Sequence, residues 1–400
     1  MRIVFLHTDF RLYWIPRLKY LGNFLQDQKH ELFILEIAGK GSPYTFSNAR
    51  LGNGNYTWEC LFPDQEMKQL SPGKIEKEIE KKLDRISPTI VFAGAIAYPS
   101  GAIAVKWCRK HHIPIIIFDD ARRSDVPRNK LVNWIKKEIY ANVDAMLIPA
   151  PSHDPDYQFW GIKQFYYGLN VVDNQYWKQL AEDTGKYERI QQKFKLPDSY
   201  LLGIGRQVKK KNWISLLKAY ASINSHSSLV LIGNGPERCF LKDFIDFHKL
   251  SRKIPLLDFL APEDLAPIYR NAECVILPSF SGETWGLTIN EAMACGTPVL
   301  VSKQCGCCET LCIKWKTGFP FEPVPTDIAR ALKDFEHLDK ISRLNMKKNV
   351  EKIIGQWDVD RFAQSVLQAT TDLCSTKGKG FHSLLSRVIV NLWKGRYRPI

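Results

Sequence analysis

Along this chain, short apolar runs alternate with segments in which apolar residues recur every three or four positions. Residues 3–6 form such a run, and 11–25 follow it with helical spacing. Residues 31–37 read as a second strand, ahead of a Gly/Ser/Asn-rich loop over 39–55. A charged helix is expected at 74–83, a strand at 89–92 opening onto Gly94, and a helix near 100–111. The stretch 113–118 is almost wholly apolar, as in a strand buried on both faces of a parallel sheet, and 144–148 is another. The second half repeats the alternation, with strands at 200–204, 228–232, 274–277 and 298–302. Helices are expected between them, near 214–223, 241–250, 265–270 and 288–294. Strands alternating with helices imply βαβ units with right-handed crossovers, so each half is expected to be a doubly wound α/β sheet.

The polar stretch 183–197 lies between the two alternating patterns and sets the expected break. The amino-terminal domain is then 1–182 and the carboxyl-terminal domain 183–356. Residues 357–374 read as a helix capped by Asp358 and crossing back to the first domain, and 375–400 as a basic tail. A length of 400 residues suits two domains of roughly 100–200 residues each. Hydrophobic residues at 45% and charged residues at 24% argue against a disordered chain. The first apolar run reaches Asp9 too soon for a signal-peptide core, and no run approaches the ~18 apolar residues of a membrane span. A cytoplasmic protein is expected. The ten cysteines are expected to be reduced, since Cys108, Cys274 and Cys295 lie in apolar-periodic segments as small core residues.

The chemistry gathers in the second half. Gly282-Glu283-Thr284-Trp285-Gly286-Leu287 leads into a helix carrying Glu291, and Gly296-Thr297-Pro298 closes it. Glu283 falls on the loop and Glu291 about a turn inside the helix. The helix amino terminus favours phosphate through its unpaired N–H groups and its dipole, and a carboxylate beside it can accept ribose hydroxyls. Either glutamate alone would serve as well as a cap or a solvent-facing residue; the combination is what points to a ligand. Upstream, a strand runs into Gly203-Ile204-Gly205-Arg206, with Lys211 five residues on. Such a loop can set a planar guanidinium and a point charge against a diphosphate, while Lys209 and Lys210 read as solvated. Gly233 and Gly235 follow the next strand, where glycine permits close backbone approach or simply a tight turn.

In this order the pieces resemble the family 4 retaining glycosyltransferases. The resemblance covers most of 200–330, including Lys316-Thr317-Gly318-Phe319-Pro320-Phe321-Glu322-Pro323, which is similar to that family's closing segment. It implies that Arg206 and Lys211 hold the donor diphosphate and that Glu283 meets the donor sugar or the reacting centre. It also assigns Glu291 to the ribose and the main-chain N–H groups of Trp285, Gly286 and Leu287 to the phosphates. The amino-terminal half matches less. Gly168-Leu169-Asn170-Val171-Val172-Asp173 resembles the end of the family's first domain, but His7-Thr8-Asp9-Phe10-Arg11 stands where a glycine-rich loop is usual. The histidine often found after the fourth or fifth strand is replaced by Phe118-Asp119-Asp120-Ala121-Arg122-Arg123. Asp119 or Asp120 would orient an acceptor or the transferred sugar, or else pair with Arg122 or Arg123. Asp154-Pro155-Asp156 and Asp358-Val359-Asp360 read as helix caps rather than metal ligands. Cys305, Cys307, Cys308 and Cys312 read as a turn of small residues rather than a zinc site.

Charge adds one further feature. Lys377, Lys379, Arg387, Lys394, Arg396 and Arg398 occur with no acid among them and supply 6 of the net +14. Phe381, Leu384, Leu385, Val388, Ile389, Leu392 and Trp393 follow helical spacing as one stripe. A basic amphipathic helix suits an anionic membrane surface; the same stripe would also pack against the protein itself. Nucleic acid is not expected, because no helix-turn-helix, RNP string or zinc-finger spacing is present. The resulting expectation is an α/β protein of GT-B type, with two facing Rossmann-like domains and a cleft between them. The partners expected are a nucleotide-sugar donor, a glycan or lipid-linked acceptor, and an anionic membrane surface through 377–400, with no cofactor beyond the donor and no metal. Two other outcomes stay open: an epimerase, which would convert donor without acceptor, and a nucleotide-sugar binder that performs no turnover.

Overall fold

Ile3, Val4, Phe5 and Leu6 are fully buried, as are Ile90–Ala93, Ile115, Ile116, Ile117 and the residues of Ala145–Ile148. Segments apolar on both faces must be covered on both faces, and the computed structural model shows how. It describes residues 1–41, 51–375 and 378–396, and the chain divides into two units, Met1–Val171 with Val359–Ile400, and Val172–Asp358. The division falls upstream of the polar stretch. That stretch is itself a helix, Thr184–Phe194, whose first turn is capped by Asp183 accepting from the Lys186 N–H at 2.9 Å. Tyr187, Ile190 and Phe194 supply its inner face at helical spacing within an otherwise polar sequence.

The first unit holds a wholly parallel sheet of β1 (Arg2–His7), β2 (Glu31–Lys40), β3 (Thr57–Glu66), β4 (Ile90–Ala93), β5 (Ile115–Phe118), β6 (Ala145–Ile148) and β7 (Phe165–Tyr167). Its order is β3-β2-β1-β4-β5-β6-β7, the reversal at β1/β4 marking a doubly wound sheet. β3 and β7 were not expected from the hydrophobic pattern. β3 is an edge strand, half-exposed and carrying Pro63, so it lacks the apolar run of a central strand. The first helix, α1 (Trp14–Asp27), starts later than its periodicity suggests because Leu12 takes a left-handed φ of 51° and makes a turn first. α1 packs with the Val359–Cys374 helix, where Phe362 meets Phe5 at 6.1 Å and Trp14 at 6.2 Å. The opposite face of the sheet is covered by α2 (Pro72–Ile86), α3 (Pro99–His111) and α4 (Lys130–Tyr140).

The tail also belongs to this unit. Residues 378–383 are not helical; Ser383 caps a helix over Leu384–Leu392, and Trp393 ends it in an extended conformation. The single stripe read from the sequence therefore divides. Val390 enters the core beside α3 and α4, with Phe381, Ile389 and Trp393 packed against it, whereas Leu384, Leu385, Val388 and Leu392 face solvent. The tail begins at the end of α3 and finishes at its start. Its early part bonds Asn142, whose Oδ1 accepts the His382 N–H at 2.9 Å, and its end bonds Ile96 and Ala97, whose carbonyls accept Trp393 Nε1 and the Arg396 N–H, each at 2.7 Å. Lys377 and Arg398 lie outside the described residues. No helix among the described residues is long and apolar enough to cross a membrane.

The second unit repeats the design with β8 (Tyr200–Ile204), β9 (Ser228–Ile232), β10 (Leu256–Leu257), β11 (Val275–Leu277), β12 (Val299–Ser302) and β13 (Gly318–Phe321). Their order is β10-β9-β8-β11-β12-β13, again all parallel. The short β10 and the Pro320-containing β13 lie at the two edges, where a missing donor is tolerated. Leu201, Trp213, Leu217, Leu229, Leu300, Phe319 and Leu332 are among the residues of its core. All ten cysteines of the chain are free thiols. Those of Cys305, Cys308 and Cys312 donate to the carbonyls of Leu277, Val301 and Val299 at 3.9, 3.7 and 3.6 Å, and burial pushes Cys305, Cys307 and Cys312 up.

One buried ion pair ties the tail to the first unit. Arg109 is almost wholly buried, pairs with Asp144, and donates to the carbonyls of Asn142 at 2.7 Å and Lys379 at 3.0 Å. Removing one member of such a pair strands a buried charge, so Arg109→Ala is expected to lose about 3–5 kcal/mol in urea unfolding. A loss within experimental error of zero would mean that solvent reaches the pair.

Candidate functional site

In the second unit, three loops leave the carboxyl ends of β8, β9 and β11 and are stitched together. The Gly205 N–H donates to Ile232 O at 3.0 Å, the Gln207 N–H to Asn234 O at 2.9 Å, and the Glu237 N–H to Gln207 O at 2.9 Å. Gly233, with φ 139°, and Gly235 are glycines because a Cβ would stand 2.1 Å from Gly205 O and 2.5 Å from Gln207 O. They let the loops after β8 and β9 lie backbone to backbone. The basic loop is then pinned to the loop after β11. Asn212, in a left-handed conformation with φ 60°, donates its amide to Pro278 O and Pro323 O, each at 3.0 Å. The Phe280 N–H donates to Lys210 O at 3.1 Å, and Trp213 Nε1 to Arg206 O at 3.0 Å.

This stitching sets Lys211 against Glu283. Their side chains form an ion pair, and Ser279 Oγ donates to the same carboxylate oxygen at 3.0 Å. Both side chains are only about one-seventh exposed, at 14% and 15%, so solvent screens the pair less than a surface pair. Arg206 is exposed on the same loop. The backbone after Glu283 is held from behind: the Gly306 N–H donates to Glu283 O at 3.0 Å and the Cys307 N–H to Trp285 O at 3.1 Å. The Trp285 ring is buried, its Nε1 bonded to Asn290 Oδ1 at 2.8 Å and its face near Trp357 at 6.1 Å. Gly286 caps the Leu287–Ala294 helix, whose first-turn N–H groups precede the intrahelical ladder. Glu291 is buried in that helix and accepts from the Tyr269 hydroxyl at 2.8 Å.

The remaining candidates stand in the first unit, at the carboxyl end of β5. Asp119 accepts the Ala121 N–H at 3.1 Å; burial raises its carboxyl, and the ammonium of Lys136 opposes that. Lys136, buried over the Trp160 ring at 4.1 Å, is pushed down by that burial to about 8. Asp120 accepts from Asn170 Nδ2 at 2.8 Å. Arg123 is drawn over the Phe159 ring at 4.0 Å, and the Tyr157 hydroxyl donates to Ala121 O at 3.1 Å. At the end of β1, His7 packs among Phe10, Trp14 and Phe118, with centroids at 5.6, 6.0 and 5.2 Å. Its Nδ1 lies 2.4 Å from where a Cβ on residue 94 would stand, so Gly94 makes room for the ring. The D-x-D carboxylates serve their neighbours: Asp154 accepts from the Tyr167 hydroxyl at 3.0 Å, Asp156 from the Arg123 N–H at 2.8 Å, and Asp358 from the Asn174 N–H at 3.2 Å.

Asn212, Ser279, Tyr269 and Asn290 carry no role in the sequence reading. The partners of Asn212 and Tyr269 lie far along the chain, and those of Ser279 and Asn290 are four and five residues away, brought close by the fold of the loop before the helix.

Residues 186–353 match the family model described as glycosyl transferases group 1. That span holds Arg206, Lys211, Gly233, Gly235 and all of 283–291, and it does not reach Asp119 or Asp120. An uncharacterized glycosyltransferase of Methanocaldococcus jannaschii is 31% identical over 167 residues, 40% of this chain and 42% of the relative. The chain spans less than half the length of the curated relatives it matches. Among solved structures, sucrose-phosphate synthase from Thermosynechococcus elongatus superposes with a TM-score of 0.73 at 18% identity, covering 94% of this chain and 99% of that one. HepE of Anabaena in complex with UDP gives 0.73 at 16% identity, covering 93% and 100%. The fold is GT-B. Identities this low carry the fold and no more.

His7 supplies a test of the first unit's strand-end cluster. Burial pushes its imidazole from the usual 6.5 down to about 4, so folding favours the neutral ring. That contribution is intact above pH 6.5 and is lost as the pH falls from 6.5 toward 4, because the unfolded chain takes up a proton that the folded chain refuses. The stability of the wild type relative to His7→Phe is expected to drop by up to about 3 kcal/mol over that window in urea titrations. A difference independent of pH would show that water reaches the ring.

Proposed function

We propose that the protein is a retaining glycosyltransferase of the family 4 kind, moving a sugar from a nucleotide-diphosphate sugar to a glycan or lipid-linked saccharide without a metal. The observation that carries this reading is the Lys211–Glu283 pair, held beside a helix amino terminus by three stitched loops. A diphosphate offers Lys211 more negative charge than one carboxylate does. On its arrival Lys211 and Arg206 would grip the phosphates, as point charge and planar fork, and Glu283 would be released toward the hydroxyls of the donor sugar. The first-turn N–H groups near Leu287 would meet the same anion. As the bond from the anomeric carbon to the diphosphate breaks and the bond to the acceptor oxygen forms, the electron pair leaves with the diphosphate and the acceptor hydroxyl's proton passes to a departing phosphate oxygen. Arg206, Lys211 and the helix terminus stabilise that charge, so catalysis rests on positioning and preorganised electrostatics. Glu291, which accepts from the Tyr269 hydroxyl, would take a ribose hydroxyl on its carboxylate.

Support also comes from the family match across this unit, from the fold, and from HepE, whose structure holds UDP. Asp119 or Asp120 is proposed to orient the acceptor in the first unit. The proposed location is the cytoplasmic face of a membrane, where lipid-linked acceptors are found, with residues 377–400 as the contact.

The test begins with the nucleoside diphosphate that most raises the melting temperature of the intact protein. Arg206→Ala and Lys211→Ala should each weaken its binding by about 1.5–3 kcal/mol in calorimetry, roughly ten- to a hundred-fold. Glu291→Ala should also weaken it, whereas Glu283→Gln should depress turnover far more than affinity. Unchanged affinity in both cation variants would move the phosphate site elsewhere, and equal losses of affinity alone from both glutamates would end the division of roles.

A further inference from the structure

The tail helix and α4 lie side by side on the same face of the first unit's sheet, and each turns apolar side chains outward. On the Leu384–Leu392 helix, Leu384 is 81% and Leu392 77% exposed, with Leu385 and Val388 between them. On α4, Leu131 is 62% and Trp134 43% exposed, at i and i+3. The two helices are in contact, and the inner sides of both are already committed: Val390 and Ile389 on one, Ile139 and Tyr140 on the other. The outward side chains therefore add nothing to the core. Scattered exposed apolar residues need no explanation, but two adjacent helices presenting them on one surface do.

The exposed charges on the two helices are cationic. Lys130 and Lys137 flank the exposed residues of α4, and Arg387 stands between Leu384 and Val388 on the tail helix, all three exposed. Lys379, Lys394 and Arg396 extend the set along the tail, with Lys379 reaching Asp144 at 3.8 Å and Lys394 reaching Glu76 at 3.1 Å. Of the nearby acids, Glu76 is consumed by Lys106 and Lys394, and Glu138 is half-buried on α4. An apolar strip with a cationic rim matches a bilayer interface, where acyl chains lie beneath anionic headgroups.

We infer that the paired outer faces of α4 and the Leu384–Leu392 helix form one docking surface for an anionic lipid bilayer. This refines the membrane location included in the proposed function, on which it rests only for its purpose. The contact is a two-helix face held rigid by the fold, rather than a loose tail. Leu384, Leu392, Leu131 and Trp134 enter the headgroup boundary while Arg387, Lys130 and Lys137 meet lipid phosphates. Because the tail's inner face is part of the core, docking requires no detachment from the unit.

The experiment uses the intact protein and vesicles of phosphatidylcholine with or without an equal part of phosphatidylglycerol. The wild type should co-sediment with the anionic vesicles at low salt, release at high salt and ignore the neutral ones. Leu384→Asp/Leu392→Asp and Leu131→Asp/Trp134→Asp should each lower that binding roughly tenfold or more, because each adds acid while removing apolar area. Leu384 and Leu392 are mostly exposed, so the tail-helix variant should unfold thermally like the wild type, and both variants should bind nucleoside diphosphate unchanged. Wild-type protein that ignores anionic vesicles overturns the inference, as does an α4 variant that binds like the wild type. A wild-type dimer in sedimentation that both variants dissociate, without vesicle binding, would assign the surface to a second copy of the chain. Loss of donor binding in wild type and variants alike would count against the glycosyltransferase reading and leave the docking result standing.

Discussion

In a parallel sheet every strand ends on the same edge, so each unit delivers its strand-to-helix loops to one rim. The two sheets here are built from runs buried on both faces, and burial on both faces is what demands helices on either side. Once that layering is set, the loops after β8, β9 and β11 become neighbours without any local instruction to meet. Glycine at 233 and 235 then matters because the loops touch through backbone, and Asn212 matters because it bridges two of them. The chemistry depends on this geometry. Lys211 and Glu283 are 72 positions apart in the chain and share an ion pair only because their strands end on the same rim.

Pairing within the site has a consequence for how it works. Lys211 and Glu283 are poorly screened, so each carries a charge the other must balance until a ligand offers something better. A carboxylate held by both a lysine and the Ser279 hydroxyl is preoriented. The first unit is arranged differently. There the strand ends are aromatic, with His7 packed among Phe10, Trp14 and Phe118, and the Lys136 ammonium lowers an Asp119 carboxyl that burial raises.

Much of this was legible in the sequence where one segment carries its own signal. The strands β1, Ile115–Phe118 and Tyr200–Ile204 were found because double burial leaves an apolar run, 3–6 in β1. β3 and β13 were not, because an edge strand tolerates polar residues and a proline that a central strand would reject. The helix at Thr184–Phe194 was hidden because three apolar positions suffice to dock it against the Pro262–Asn271 helix. Arg206, Lys211, Glu283 and Glu291 stood out by chemical type and spacing. Tyr269 and Asn212 did not, since a hydroxyl or amide acquires its role only from a distant partner, and the bond of Ser279 to Glu283 four residues on depends on the fold of their loop. The tail was read as a single stripe because helical spacing was carried through Phe381 and Trp393, which lie just outside the helix and turn inward.

The central claim is that donor is held on the second unit by the loop 206–211 and the helix start at 285–287. Hydrogen exchange of the intact protein, followed residue by residue with and without a bound nucleotide-diphosphate sugar, reads those N–H groups directly. The account predicts slowed exchange concentrated at 206–211 and 285–287, with the strands of the first unit unchanged. Bound donor that leaves both segments at their original rates, or that slows only residues within Met1–Val171, would contradict it.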